Sequence, residues 1–475
     1  MTIKTDDLVV ELAERMEVIN IPSDVVDCEP GIRAETMDMS CLPSHGGESD
    51  VTTERRDHVK NASIPEGRQP LVTPDTNSRR PFDDLVDAGS PADPIDFPEP
   101  RFERGRRHEV VCYIPASDTH QVLKNVLFRD FTREYPDDGD ARLQQAYYPI
   151  PHKHPIKTIM GHVEICMLLT RCQKSDGDDD DDSESYEDDG DEDVVFELTT
   201  TCVAVKVNYC DRMERMRNQH AEDPLKEIAA MQLIGNNHPN VLGCIEVLFD
   251  GQNLNIVLPY CDRGDLFQLL QESQHTATPD CPGMSEGQAR YWFRQVMAGV
   301  KHIHESGVCH RDLSPENVMI DDKRSIIIDM GMCLRVPYTD PHLMERVTDV
   351  QKGSNKRLFK PQGACGKLPY MSPEIYRNRD PFDGAAADVW TAGTILFCMV
   401  TGNRSYQRPH RSDPQFYWMS RGLSQLLKDW QVSLSMEGLH LLQNMLQVDP
   451  RLRLTIDEVV HHPWFTYPDD TLLPR

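Results

Sequence analysis

The sequence predicts a mixed α and β fold, and three observations predict it. Short runs of β-branched and apolar residues, such as Val203-Ala204-Val205 and Ser325-Ile326-Ile327-Ile328, read as buried strands. Elsewhere apolar residues recur at helical spacing: Leu225, Ile228 and Met231 in one stretch, Trp292, Val296, Val300 and Ile303 in another. The second stretch opens on Ser285-Glu286-Gly287-Gln288, a capping box that satisfies the first free amides of a helix. Its aromatic stripe is therefore core, not a cofactor box.

Between and after these elements lie the residues that carry chemistry. His310-Arg311-Asp312-Leu313-Ser314-Pro315-Glu316-Asn317-Val318 sets a carboxylate, Asp312, and a carboxamide, Asn317, five residues apart on one short loop. Such a loop can orient a hydroxyl nucleophile and hold a metal beside it. Twelve residues past Asn317, Asp329-Met330-Gly331 releases a second carboxylate onto a turn. Upstream, the strand at Val203 ends in Lys206, and Glu227 sits on the first helical pattern; downstream comes Met371-Ser372-Pro373-Glu374. Each motif alone says little. In the order Lys206, Glu227, Asp312, Asn317, Asp329, Glu374 they resemble the signature set of the eukaryotic protein kinase family. The resemblance covers about Pro149 to Phe465 and implies an α+β bilobal protein kinase fold, with a small β-rich N-lobe carrying helix C and a large helical C-lobe.

In chain order, residues 1–107 are rich in Pro, Asp, Ser and Gly and are expected to form a disordered tail, apart from a short amphipathic piece at Leu8 to Met16. Thr73-Pro74 and Ser90-Pro91 read as turn dipeptides, with proline-directed phosphorylation as the alternative. Residues 108–148 are expected to be an extension holding a strand from Val110 to Ile114 and a helix from Ser117 through Leu123, Val126, Leu127 and Phe131. The kinase domain is placed at 149–467, with an acidic insertion at 174–193 and a tail at 468–475. Asp176 to Asp193 holds 13 of the 78 acidic residues. Charge this dense repels itself and stays solvated, a site for basic partners or divalent ions being the alternative.

The resemblance assigns roles residue by residue. The glycine-rich phosphate loop is matched only at Gly161-His162-Val163, with Ile156 and Thr158 where the first two glycines belong, so a stiffer loop is expected. Val163, Ala204 and Met319 belong with the nucleotide. Leu258 falls at the gatekeeper position, and Pro259, Tyr260 and Cys261 at the hinge. Asp265 lies near the ribose or a basic substrate side chain, and Glu316 beside it. Lys206 pairs the α- and β-phosphates of ATP and is held by Glu227; Asp312 orients the acceptor hydroxyl; Asn317 and Asp329 hold Mg2+. Asp388, at the start of an apolar helix, anchors the catalytic loop, and Arg453 pairs with Glu374. Arg311 would pair with a phosphate placed by an upstream kinase on Thr348 or Ser354. His462-Pro463-Trp464-Phe465 resembles the end of calmodulin-dependent-like kinases.

Three departures bear on mechanism. Ser314 stands where the serine/threonine branch carries lysine, and Lys367 where it carries threonine, which points to a swapped pair with Lys367 reaching back to Ser314 as a catalytic group. Met330 replaces the usual Phe, beside Met231, and the glycine loop is eroded. The expected activity is that of a serine/threonine kinase acting on protein substrates, with Asp265 and Glu316 favouring basic ones. A catalytically weak or inactive scaffold is the second reading.

Composition sets the surroundings. A formal charge of -28 opposes nucleic-acid and anionic-membrane partners. The 14 cysteines form no CxxC pairs, which suggests a reduced, intracellular protein, cytoplasmic or nuclear. Met1 to Asp7 lacks a basic n-region, and the longest apolar run, Thr391 to Thr401, is short for a membrane span.

Overall fold

In the computed structural model the described residues are 90–130, 144–172, 195–216, 223–275, 283–339 and 355–468. The amphipathic piece at Leu8, Thr73-Pro74, the acidic tract, Thr348, Ser354 and the tail beyond Pro468 lie outside them.

The N-lobe is built on one eight-stranded sheet among the described residues. Its strands are β1 (Glu103–Ile114), β2 (Thr119–Arg129), β3 (Gln145–Pro149), β4 (Ile156–Lys157), β5 (Gly161–Arg171), β6 (Val195–Tyr209), β7 (Glu246–Phe249) and β8 (Asn253–Pro259), in the order β3-β2-β1-β7-β8-β6-β5-β4. Two further pairings close it on itself: β3 lies antiparallel to β5, and Val111–Tyr113 of β1 lies parallel to Val195–Glu197 of β6. Neighbouring residues consequently enter different cores. Val126 and Phe128 join Ala146, Tyr148, Ile165 and Met167 in one, while Leu127 joins Tyr147, Cys166, Val205 and Val257 in the other.

The observed strands correct two expectations. The stretch from Ser117 is strand β2, not a helix. The register against β1 slips by one residue between Leu123 and Val126, with Asn125 at φ 60°, so a bulge sets Leu123 and Val126 on one face while Leu127 enters the other core, and the i, i+3, i+4 set imitates helical periodicity. The sheet also begins at Glu103 rather than near Pro149, and residues before it are paired rather than free: Ala92 bridges Phe359 and Ile95 bridges Arg335.

The helices α1 (Cys210–Met216) and α2 (Pro224–Ile234) follow β6. Asp223 caps α2 through the Leu225 amide at 3.0 Å. The C-lobe contains α3 (Leu266–His275), α4 (Glu286–Glu305), α5 (Pro373–Arg377) and α6 (Gly384–Thr401). Ser285 and Gln288 make the reciprocal capping box at the start of α4, which buries Trp292, Phe293, Val296, Val300 and Ile303. Helix α6 is long and apolar enough to cross a membrane, but it is wholly buried inside the protein. It starts earlier than Asp388, capped by Asp383, whose carboxylate accepts the Ala385 and Ala386 amides. Asp388 is therefore an interior residue of the helix and not its terminal charge. The 11 cysteines among the described residues are all free thiols.

Candidate active site

The catalytic loop is held by its backbone. Strand β9 (Val308–Cys309) pairs with β12 (Leu334–Arg335) and delivers His310; a 3-10 turn at Pro315–Asn317 leads into the hairpin of β10 (Val318–Asp321) and β11 (Arg324–Ile327), which returns the chain to Asp329. Arg311 and Asp329 both sit at φ 67°, a left-handed conformation that costs energy for a residue with a Cβ. Asp388 holds the first of these in place. Its two carboxylate oxygens accept the amides of His310 and Arg311, each at 2.8 Å, and His304 Nε2 lies 2.8 Å away. Burial pushes the Asp388 carboxyl up, but the hydrogen bond and charge of His304, the charge of His310 and the Arg311 amide outweigh it and hold it below the usual carboxylate value. The His310 ring accepts the Asp312 amide at Nδ1 (3.2 Å) and sits 3.0 Å from the Ile328 carbonyl at Nε2, so one imidazole ties the two carboxylate-bearing turns together.

Asn317 Nδ2 donates to the Asp312 carbonyl at 2.7 Å and to its carboxylate at 3.2 Å. The Asn317 carbonyl accepts the amide of Ile328, next to Asp329, at 3.0 Å. On its other side the Asp312 carboxylate accepts the Lys367 amide at 3.1 Å. Burial raises the Asp312 carboxyl above the usual range; the charges of His310 and Lys367 pull it back and that of Asp329 pushes it further up. Lys367 Nζ donates to Ser314 Oγ at 3.0 Å and lies 3.4 Å from Glu316, so the cation reaches across the loop where the family has the reverse pair.

Lys206 Nζ donates to both carboxylate oxygens of Glu227 at 2.8 Å. Pairing along the sheet sets Val163 opposite Lys206 and Ala204 opposite Leu258, the last residue before Pro259 ends β8 and leads to Tyr260 and Cys261. Asp265 bridges Met319, and the Ile320 amide donates to the Gly264 carbonyl, which fastens the segment after the hinge to the hairpin that follows Asn317. Asp265 also caps α3 through the Gln268 amide at 2.8 Å. Met231 and Met330 are both buried in one core shared by the two lobes.

The turn joining β4 to β5 is closed on itself: Thr158 N donates to Gly161 O and Gly161 N to Thr158 Oγ1, both at 3.0 Å. Two amides a glycine loop would offer to phosphate are thus already used. A Cβ on Gly161 would lie 1.9 Å from the Val207 carbonyl, so this glycine serves the close approach of β5 to β6. Arg311 donates to the Gly363 carbonyl at 3.2 Å and stacks over Phe382. Arg453 grips Glu374 with Nη1 at 2.7 Å and Nη2 at 3.2 Å.

His304 and the partnership of Glu316 with Lys367 were not anticipated from sequence. His304 is a polar residue on the apolar face of α4, and only the fold puts Asp388 opposite it.

Residues 193–465 match the family model described as the protein kinase domain. The serine/threonine-protein kinase CHK1 of Mycosarcoma maydis is 32% identical over 223 residues, 47% of this chain and 30% of the relative. The probable serine/threonine-protein kinase KCC4 of Saccharomyces cerevisiae is 32% identical over 240 residues, 50% of the chain and 20% of the relative. The serine/threonine-protein kinase SAPK2 of Oryza sativa is 31% identical over 232 residues, 48% and 60% respectively. The match thus spans under a third of the first two relatives' length. With a Lys206–Glu227 pair, Asp312 and Asn317 on one loop, Asp329 on the next, and a kinase-domain match over more than half its length, the chain belongs to the protein kinase family.

Proposed function

We propose that the chain transfers the γ-phosphate of ATP to serine or threonine hydroxyls of proteins, with a preference for basic acceptor sequences. What carries the proposal is the hydrogen-bonded unit of Asp312, Asn317 and Lys367 beside Asp329, at the two ends of a hairpin that also meets the segment after the hinge. In this reading Asp312 accepts and orients the substrate hydroxyl. Its raised carboxyl, lifted first by burial, makes it a better acceptor for the proton lost late in the transfer. Lys206, oriented by Glu227, positions the α- and β-phosphates, and Lys367 supplies positive charge near the transferred group.

Asn317 and Asp329 suit Mg2+. Asn317 spends its amide nitrogen on Asp312, which leaves its oxygen as a donor, and among the described residues no three His, Cys, Asp or Glu side chains form a metal cage. Such a sparse, hard-oxygen set fits an ion that keeps waters and takes its other ligands from phosphate. When bound, Mg2+ neutralises charge on the β- and γ-phosphates. The basic preference rests on Asp265 and on Glu316, although Glu316 is shared with Lys367.

A phosphotransfer assay with labelled ATP and Mg2+ on a generic basic protein tests the proposal. Wild type should label the substrate and Asp312→Asn should lose at least ~100-fold in rate, with peptides bearing upstream Arg or Lys preferred in an array. No label from either protein, together with no thermal stabilisation by nucleotide, would favour the scaffold reading.

A further inference from the structure

The segment 90–102, Ser-Pro-Ala-Asp-Pro-Ile-Asp-Phe-Pro-Glu-Pro-Arg-Phe, has a composition expected of a tail but runs against two parts of the domain. Four prolines, Pro91, Pro94, Pro98 and Pro100, bias it toward an extended backbone, so little conformational freedom is lost when it docks. Three of its amides, those of Ala92, Ile95 and Arg101, donate to the domain. Ala92 N donates to Leu358 O at 3.0 Å and Ala92 O accepts Lys360 N at 2.9 Å; Ile95 N donates to Arg335 O at 3.2 Å. Arg335 returns a bond to the Asp96 carbonyl at 2.9 Å. Arg357 donates through Nε to the Ser90 carbonyl at 2.7 Å, and Lys360 pairs with Asp93 at 2.7 Å.

Those contacts all lie on the activation segment, between Asp329 and Glu374. At its other end the segment meets helix α2. Gln232 accepts the Arg101 amide at 2.8 Å and donates to the Arg101 carbonyl at 2.6 Å, the two-point bond of a strand partner made by one side chain. Phe97, between the two anchor points, packs on the core that contains Met231 and Met330. Helix α2 is therefore fastened on one side through Glu227 to Lys206 and on another, exposed, side through Gln232 to this segment.

We propose that residues 90–101 are a built-in strap that holds helix α2 in register with the activation segment, which makes Gln232 and Arg357 positioning residues for the Lys206–Glu227 pair. The catalytic half of this inference rests on the kinase function proposed above; the structural half does not. Neither residue touches nucleotide or substrate in that scheme. A strap of this kind couples its two ends reciprocally: loosening one should loosen the other.

The test uses the full chain with Gln232→Ala, Arg357→Ala and Arg357→Lys, read by steady-state kinetics and by hydrogen exchange. Gln232→Ala and Arg357→Ala should each lower kcat about tenfold, as displaced catalytic groups do, with little change in peptide KM. Arg357→Lys, which keeps a donor for the Ser90 carbonyl, should recover most of that loss. Exchange should rise at the far end in each case: in α2 for Arg357→Ala, and at the amides of Ala92, Ile95 and Lys360 for Gln232→Ala. Wild-type exchange at the far end in both variants would overturn the strap whatever the kinetics. Coupled exchange in a protein that transfers no phosphate would keep the strap and remove the kinase function.

Discussion

Lys367 concentrates the chemistry of this site in one side chain. Its amide holds Asp312, its ammonium bonds Ser314 Oγ at 3.0 Å, and its charge lowers the Asp312 carboxyl against the upward push of burial. Lys367→Met keeps the backbone bond and removes only the cation. Turnover should fall by ~100-fold or more, the scale of losing a transition-state charge partner, while ATP affinity barely moves. The sign of the pH effect follows too. Without the cation the Asp312 carboxyl rises further, so the acid limb of kcat/KM should move to higher pH than in wild type. A mild loss with an unshifted limb would rule out the swapped pair. Lys206, Glu227, Asp312, Asn317 and Asp329 were all legible because each sits in a short run with fixed local spacing. His304 was not, because its partner Asp388 is 84 residues away.

At the level of elements, the sheet decides more than its strands suggest. Helical spacing in β2 arises from the bulge at Asn125, which sets Leu123 and Val126 on one face, and from Leu127, which faces the second core that sheet closure creates. Gly161 makes the same point at a crossing. The family resemblance gives it to the phosphate loop, yet a Cβ there would run into the Val207 backbone. Gly161→Ala should cost about 1–3 kcal/mol as β5 and β6 are forced apart, measured as a lower urea midpoint; unchanged stability would show that the strands can separate freely. Helix α6 illustrates the opposite case. Its apolar sequence was plain, but its cap at Asp383 placed Asp388 a turn inside, where the carboxylate faces the catalytic loop instead of the helix dipole.

Across the whole molecule, stability depends on groups kept in one protonation state by packing. His462 caps the helix Pro463–Thr466 by accepting the Trp464 amide, and its Nε2 lies 2.9 Å from His440 Nδ1. Burial, then the charge of His440, lowers it from the ordinary 6.5 to about 4, with Glu437 opposing. The unfolded chain therefore binds more protons between those values, and stability should fall as pH drops through that window. His462→Asn, which keeps a capping acceptor, should flatten the slope of thermal stability over it; an unchanged slope would assign the acid sensitivity elsewhere, His238, which burial and the charge of His302 also hold below 6.5, being the next group to test. Taken alone, the sequence determined the family, the order of the catalytic groups and the two helices α2 and α4, since these depend on local spacing and capping. Tertiary structure alone decided that a proline-rich stretch docks across the activation segment, that β1 to β3 close the sheet, and which carboxylate meets which histidine. Those outcomes depend on burial and on partners supplied by distant parts of the chain, which no local pattern encodes.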